Sequence, residues 1–123
     1  MSDENTKITI PDVDSESGLR LCDSDVNIYT QSLRLFTTNI PETLDKIRNV
    51  TESTLRDYTA RVHGIKGISV YIGAVKIIEA ARELEEMGKK GDIAGILERN
   101  EGFIKSIEAL IVNIQTWLKN NGQ

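Results

Sequence analysis

Apolar residues recur at spacings of three and four along most of the chain, which is the spacing of one face of an α-helix. The first such stripe runs from Asp25 to Val50 and keeps its phase across Pro41. Because proline removes one backbone hydrogen bond, a kink or a break is expected near Ile40, and the unbroken phase favours a kink. The stripe predicts a first long helix whose inward residues are Val26, Tyr29, Leu33, Phe36, Ile40, Leu44, Ile47 and Val50.

Two further helical stripes follow, separated by short connections. The second helix is predicted to begin after Thr51 to Thr54, whose hydroxyls are suited to capping, and to end at Gly73. The third runs from about Ala74 to Met87, and the stretch from Gly88 to Gly91 closes it. The inward residues of these two helices are Leu55, Tyr58, Val62, Ile65, Ser69 and Ile72, and then Ala74, Ile77, Ala81 and Leu84.

The last helix has the strongest periodicity, with Asp92 as its predicted N-cap. Its main stripe is Ile93, Leu97, Ile104, Ile107, Ile111, Ile114 and Leu118, seconded by Ile96, Phe103, Leu110 and Trp117. Four amphipathic helices with short connections predict an all-α fold, an antiparallel up-down-up-down four-helix bundle. We predict a short additional N-terminal helix at residues 12–21 and a polar tail at residues 1–11. Sustained heptads also occur in coiled-coil oligomers, but the glycines and capping signals favour a monomer.

Composition is that of one soluble domain, which we place at residues 12–121. The 123 residues are 39% hydrophobic and carry a net charge of -4, and no basic run is longer than Lys89 and Lys90. Nucleic acid is therefore excluded as a partner. No stretch approaches the ~18 apolar residues of a membrane span, so we expect a cytoplasmic protein without a membrane partner. Cys22 is the single cysteine and is expected to be a small buried hydrophobe.

His63 is the only histidine, and it lies on the outer face of the second predicted helix. Its side chain points roughly 130° away from the centre of the apolar stripe, so it should face water. Lys66 and Gly67 lie one turn further along the same face. A neutral imidazole is a nucleophile, and Lys66 is placed to offset the charge of a phosphoryl group. The same face carries Thr59, Ala60 and Val70.

Gly64 and Gly67 interrupt the helix around His63. Each costs about 1 kcal/mol relative to alanine in a helix interior, so the pair calls for a reason. With Ala60 they form a strip without bulky side chains, which lets either a neighbouring helix or another molecule approach. Because the strip lies on the solvent side, we favour access by another molecule. A single histidine does not supply the paired Glu-x-x-His motifs of metal-binding bundles, so no metal site is expected.

The turn at Gly73 should bring acidic residues to the height of His63. His63 lies ten residues before this turn, and residues ten to twelve after it return to a similar height at ~1.5 Å per residue. Glu83 and Glu85 fall there, and Glu86 follows directly. Glu85 flanks the inward stripe and is placed to reach the imidazole, but it is also interpretable as a solvated glutamate in an acidic run.

The sequence around His63 resembles the histidine phosphotransfer (HPt) family. The family pattern H-x-L-K-G-x-x-x-x-x-G-A matches the segment from His63 to Ala74, with Ile65 in place of the usual leucine. Gly64 is a second departure, which loosens the helix. A helix ending near Leu-Glu follows, here at Leu84-Glu85. The resemblance covers nearly the whole chain, since it extends upstream to Gly18, Leu19, Tyr29, Leu33 and Phe36.

The resemblance implies a role for each of four residues. His63 would accept a phosphoryl group on Nε2, and Glu85 would hold the ring through Nδ1. Lys66 would neutralise the phosphoryl oxygens, and Gly67 would keep the surface open. The implied partners are receiver domains of response regulators or hybrid sensor kinases, with Mg²⁺ supplied by the receiver and no cofactor in this chain. The chain would be a phosphoryl carrier and no enzyme, because it has no nucleotide-binding loop for kinase activity.

Two other functions are compatible with the sequence. One is a non-phosphorylated adaptor that uses the same bundle face to bind or inhibit a signalling protein. The other is a phosphoacceptor module of a larger chemotaxis-type kinase, which the start at Met1 and the polar end make less favoured. Ile28 and Leu35 lie off the core stripe of the first long helix, as Val70 does beside His63. Ile28 and Leu35 are either covered by the N-terminal helix or contact a receiver.

Overall fold

The computed structural model describes residues 8–121, in which helices are the only regular secondary structure. The helices α2, α3, α4 and α5 form a closed ring in which each packs against two neighbours, while α1 packs against α3 and α2. The all-α prediction with a short N-terminal helix is confirmed. The bounds are α1 Ser15–Leu21, α2 Val26–Lys46, α3 Leu55–Ile72, α4 Val75–Lys90 and α5 Ile93–Asn120.

The N-terminal segment differs from the sequence prediction in two places. The first helix begins at Ser15 rather than Asp12, because the Asp14 side chain accepts a hydrogen bond from the Ser17 N–H and caps it there. Met1 to Lys7 of the predicted polar tail lie outside the described residues. Ile8 and Ile10, which were assigned to the same tail, are buried with the hydrophobic core.

The core between the four long helices follows the predicted stripes closely. The inward residues of α2, α3 and α4 are buried, except that Val26 and Leu55 are only partly buried against the core. Leu97 was predicted to face inward on α5, but it is exposed and Ile96 is buried in its place. At 100° per residue Ile96 points about 20° from the buried Ile107 and Leu97 about 80° from it, so Leu97 lies at the edge of the buried face.

The ends of α2 and α3 correct two sequence predictions. The first long helix runs through Pro41 without a break but stops at Lys46 instead of reaching Val50. At the start of α3, Thr54 occupies the N-cap position without capping the helix. Its hydroxyl oxygen instead accepts a hydrogen bond from the Thr51 N–H at 2.9 Å, which closes the preceding turn.

Glycines set how α4 lies against α3. Gly73 ends α3 with a left-handed backbone at φ 78°, a conformation that suits glycine. The third helix was predicted to end near Met87 and to be closed by the stretch from Gly88 to Gly91; α4 continues to Lys90, and Gly91 caps it. A Cβ atom at Gly88 would overlap the Thr59 hydroxyl of α3. The absence of a side chain at Gly88 therefore lets the end of α4 lie close to the start of α3.

Asn100 is a polar residue inside the core, and both ends of its amide are used. Its Nδ2 donates to the Ile47 carbonyl at 2.7 Å, and its Oδ1 accepts from the Tyr58 hydroxyl at 2.8 Å. A buried amide left without partners would cost about 1–3 kcal/mol. The two bonds therefore favour one relative position of α5, α3 and the end of α2.

Candidate functional site

His63 and Glu85 meet across the antiparallel pair α3 and α4. The Nδ1 atom of His63 lies 2.8 Å from Oε2 of Glu85, although 22 residues separate them in the chain. Of the three glutamates predicted at this height, Glu83 pairs instead with Arg99 of α5, and Glu86 is exposed. The packing of α3 against α4 thus selects one carboxylate for the ring.

The Glu85 carboxylate is buried and ionised. Only 8% of its side chain is exposed. The Lys66 ammonium beside it and the hydrogen bond with His63 lower the pKa of Glu85 from 4.5 to about 2, against the opposing effect of burial. An ionised carboxylate has no hydrogen to give, so Nδ1 of His63 donates the hydrogen bond. In the neutral ring, Nε2 then carries the free lone pair.

Lys66 contacts the other oxygen of the same carboxylate. Its Nζ lies 2.7 Å from Oε1 of Glu85, and only 26% of the Lys66 side chain is exposed. Oε1 has no aligned hydrogen-bond donor, so this contact is an attraction between charges. Lys66 lies one turn from His63, as predicted, but its ammonium is paired with Glu85 rather than free.

Lys89 is a second positively charged neighbour of Glu85, which sequence reasoning did not single out. Its Nζ lies 3.5 Å from Oε2 of Glu85, the oxygen that also accepts from His63, and 61% of its side chain is exposed. The signal in the sequence was its position four residues after Glu85 on the same helix, a spacing at which side chains meet. That signal becomes informative only once Glu85 is known to reach the ring.

The helix face around His63 is open. A Cβ atom at Gly64 or at Gly67 would have no neighbouring atom within 4 Å outside its own helix. Ala60 and Val70, on the same face, are exposed. No other helix of residues 8–121 packs on this strip, so the alternative in which the glycines allow close helix packing is wrong. Another molecule has free access to the imidazole, of which 66% is exposed.

An open groove of about 620 Å³ begins beside His63 and runs toward the start of α3. Leu55 and Thr59 supply apolar and hydroxyl surface on the α3 side, and Gly88 forms part of the α4 side. Lys89 and Arg56 line the same groove, whereas Lys66 does not. Glu52 and Glu85 also line it, so the groove carries charges of both signs and has the histidine at one end.

A comparison with protein-family models matches residues 31–117 to the Hpt domain. The match includes all of α3 and α4, and with them His63, Lys66, Glu85 and Lys89. This chain belongs to the Hpt domain family. A search of curated proteins and a search of solved structures found no match.

Membership of the Hpt family establishes the general role of the chain. Hpt domains are phosphocarriers rather than kinases, and they act with receiver domains in two-component signalling. The matched region contains most of the four long helices; α1 and the first residues of α2 precede it, and the last residues of α5 follow it. The chain accordingly has a role related to phosphoryl transfer.

The Hpt domain carries an apolar patch near the C-terminal end of α3, the helix that carries His63. It consists of Leu21 of α1, Ile28 and Leu35 of α2 and Tyr71 of α3, all exposed, and it borders a groove of about 330 Å³. Ile28 and Leu35 were interpreted either as covered by the N-terminal helix or as a contact surface. They are 46% and 52% exposed, so α1 does not cover them.

Two other features, a membrane-spanning helix and a metal-binding cluster, are absent from the part of the Hpt chain that the structure describes. None of its helices combines the length and apolar character needed to span a bilayer. Within residues 8–121, no three side chains of His, Cys, Asp or Glu gather as they would around a metal ion.

Proposed function

We propose that this Hpt domain accepts a phosphoryl group on Nε2 of His63 from the aspartate of one receiver domain and passes it to the aspartate of another. The observation that carries the proposal is the exposed imidazole whose Nδ1 donates at 2.8 Å to the buried, ionised carboxylate of Glu85. A ring held in this way keeps one nitrogen free and oriented, which is what a nucleophile requires. The receivers belong to response regulators or hybrid sensor kinases.

The proposed transfer forms one bond and breaks one. The Nε2 lone pair of His63 attacks the phosphorus of the receiver's aspartyl phosphate, the bond between phosphorus and the aspartate oxygen breaks, and the aspartate leaves as a carboxylate. The proton on Nδ1 stays in place, and the Glu85 carboxylate balances the positive charge that the ring gains. Transfer to the second receiver reverses these changes and returns the ring to its neutral form.

The surroundings of His63 suit this reaction. A phosphoryl group brings about two negative charges, which the ammonium of Lys66 helps to offset. The Mg²⁺ that neutralises phosphoryl oxygens in such a transfer is assigned to the receiver domain. The open strip at Ala60, Gly64 and Gly67 leaves space for the receiver to bring its aspartate to the ring.

We assign the docking of the receiver to the apolar patch together with Val70. Tyr71 lies eight residues after His63 on α3, about 12 Å along the helix, so one receiver can cover both. Exposed apolar side chains that lie side by side are typical of a protein contact surface. In this arrangement the chain acts as a monomer.

Incubation with a receiver carrying a labelled aspartyl phosphate tests the proposal. The chain should gain a label that is lost in acid and retained in base, as expected of phosphohistidine, and the His63→Ala variant should gain none. The helix content of the variant, measured by circular dichroism, should match the unsubstituted chain because His63 is exposed. Equal labelling of the folded His63→Ala variant would show that the phosphoacceptor is a different residue.

The same experiment separates the carrier from the non-phosphorylated adaptor. An adaptor would bind receivers through the apolar patch with equal affinity whether residue 63 is histidine or alanine, and it would never gain label. A carrier gains label and passes it to a second, unlabelled receiver. Recovery of the label on the aspartate of that second receiver is therefore the outcome that supports the proposed relay.

A further inference from the structure

The two lysines near Glu85 are held to very different degrees. Lys66 contacts Oε1 at 2.7 Å and is mostly buried, while Lys89 lies 3.5 Å from Oε2 and has an exposed side chain. Attraction between charges falls with distance and with exposure to water, so Lys66 is the more firmly held of the two. The ammonium of Lys89 is therefore the more available of the two for contact with another anion.

Lys89 approaches Glu85 from the same side as the imidazole ring of His63. The Glu85 oxygen that it approaches is the one that accepts from Nδ1 of His63. Lys89 lines the groove that opens beside His63, whereas Lys66 does not. Lys89 and the imidazole thus share one carboxylate oxygen and one open groove.

Phosphorylation would change the charge balance at this point. Glu85 already uses the positive charge of Lys66, and the phosphoryl group adds about two negative charges beside it. One buried ion pair does not neutralise such a group. A lysine side chain has a flexible stem with three rotatable donors at its end, so a loosely held lysine can exchange one anion for another nearby.

We propose, building on the proposed function, that Lys89 makes the direct contact with the phosphoryl group on His63, while Lys66 stays paired with Glu85. The Lys89 ammonium leaves its 3.5 Å contact with Oε2 and donates hydrogen bonds to the phosphoryl oxygens. Lys66 keeps the carboxylate ionised and so keeps Nδ1 protonated. Lys89 thereby stabilises the phosphorylated form relative to the unphosphorylated form.

The test is the equilibrium of phosphoryl transfer between a receiver and this chain. Lys89→Ala should shift that equilibrium toward the phosphorylated receiver by about fivefold, the effect of one charge at contact distance in water. Lys89→Arg should restore most of the shift, because arginine keeps the charge and the donors. Lys90→Ala is the matched control, since Lys90 is the adjacent exposed lysine and lies outside both the groove and the ion pairs of the described residues.

An equilibrium constant is chosen because docking strength does not change it. If Lys89 only helped a receiver to dock, both directions of transfer would slow equally and the equilibrium would match that of Lys90→Ala, which would overturn the inference. If the unsubstituted chain gains no label on His63 at all, it is the proposed function that fails. A shift with Lys89→Ala that Lys89→Arg reverses, on a chain that labels normally, supports the contact.

Discussion

Glu85 approaches His63 from a different helix and places its Oε2 atom 2.8 Å from the ring's Nδ1, with Lys66 on its other oxygen. The carboxylate is thus shared between the residue proposed as nucleophile and a structural ion pair. The same contact should influence both the chemistry of the ring and the acid stability of the bundle.

Glu85 should make the stability of the protein depend on pH at the acid end. The folded chain holds the pKa of this carboxyl at about 2 rather than 4.5, so the unfolded chain takes up the proton first as pH falls. The stabilisation is therefore complete above about pH 4.5 and is lost as pH falls toward 2. Relative to Glu85→Gln, the unsubstituted chain should be more stable by roughly 2 kcal/mol at neutral pH.

Denaturant unfolding at several pH values measures this difference. The gap between the unsubstituted chain and Glu85→Gln should narrow as pH falls toward 2 and close below it, where both carry a neutral side chain. Glu86→Gln is the control for loss of one negative charge, because Glu86 is the adjacent exposed glutamate. A gap that stays constant through the acid range would contradict the ionised cluster.

Substitution of Gly67 by alanine should stabilise the fold and slow phosphoryl transfer. A Cβ atom there meets nothing within 4 Å, so Gly67→Ala should raise the free energy of unfolding by about 1 kcal/mol through helix propensity. The methyl group lies on the face of His63 that the receiver must approach. The transfer rate should therefore fall about tenfold, the cost of overpacking one methyl group at a contact.

Gly102 of α5 provides the matched control. A Cβ atom there is equally free of neighbours within 4 Å, and the residue is exposed on another helix. Gly102→Ala should stabilise the chain by a similar amount and leave transfer unchanged. Thermal unfolding and single-turnover transfer, measured on both variants, separate the two effects; equal transfer by both would remove Gly67 from the contact surface.

Leu35 should contribute to receiver binding without contributing to the core. Its side chain is 52% exposed within the apolar patch, so Leu35→Asp should leave the fold intact. A charge placed in an apolar contact should weaken receiver binding by about tenfold or more. Titration of the chain with a receiver, followed by calorimetry, measures the dissociation constant.

Leu97 of α5 is the control for Leu35. It is 58% exposed and lies outside the apolar patch, so Leu97→Asp makes the same chemical change on a different surface. Receiver affinity should be unaffected by this variant. If Leu35→Asp binds as tightly as Leu97→Asp, the receiver docks elsewhere.

The sequence by itself determined the features that depend on helical periodicity. The helices, the exposure of His63 and the turn at Gly73 all follow from spacings within a few residues. Most of the core also follows from these spacings, because an amphipathic helix buries the one face that carries its apolar stripe. Leu97 is the instructive failure, since it lies at the edge of the apolar face of α5 and the bundle buries its neighbour Ile96 instead.

Only the tertiary structure decided the contacts between helices. The rotation of α4 about its axis, with Gly88 against Thr59, determines that Glu85 rather than Glu83 or Glu86 reaches the ring. The same rotation pairs Lys66 with the carboxylate and brings Lys89 beside it. These relations depend on how side chains of distant segments fit together, and a fit of that kind has no counterpart in the local spacing of residues.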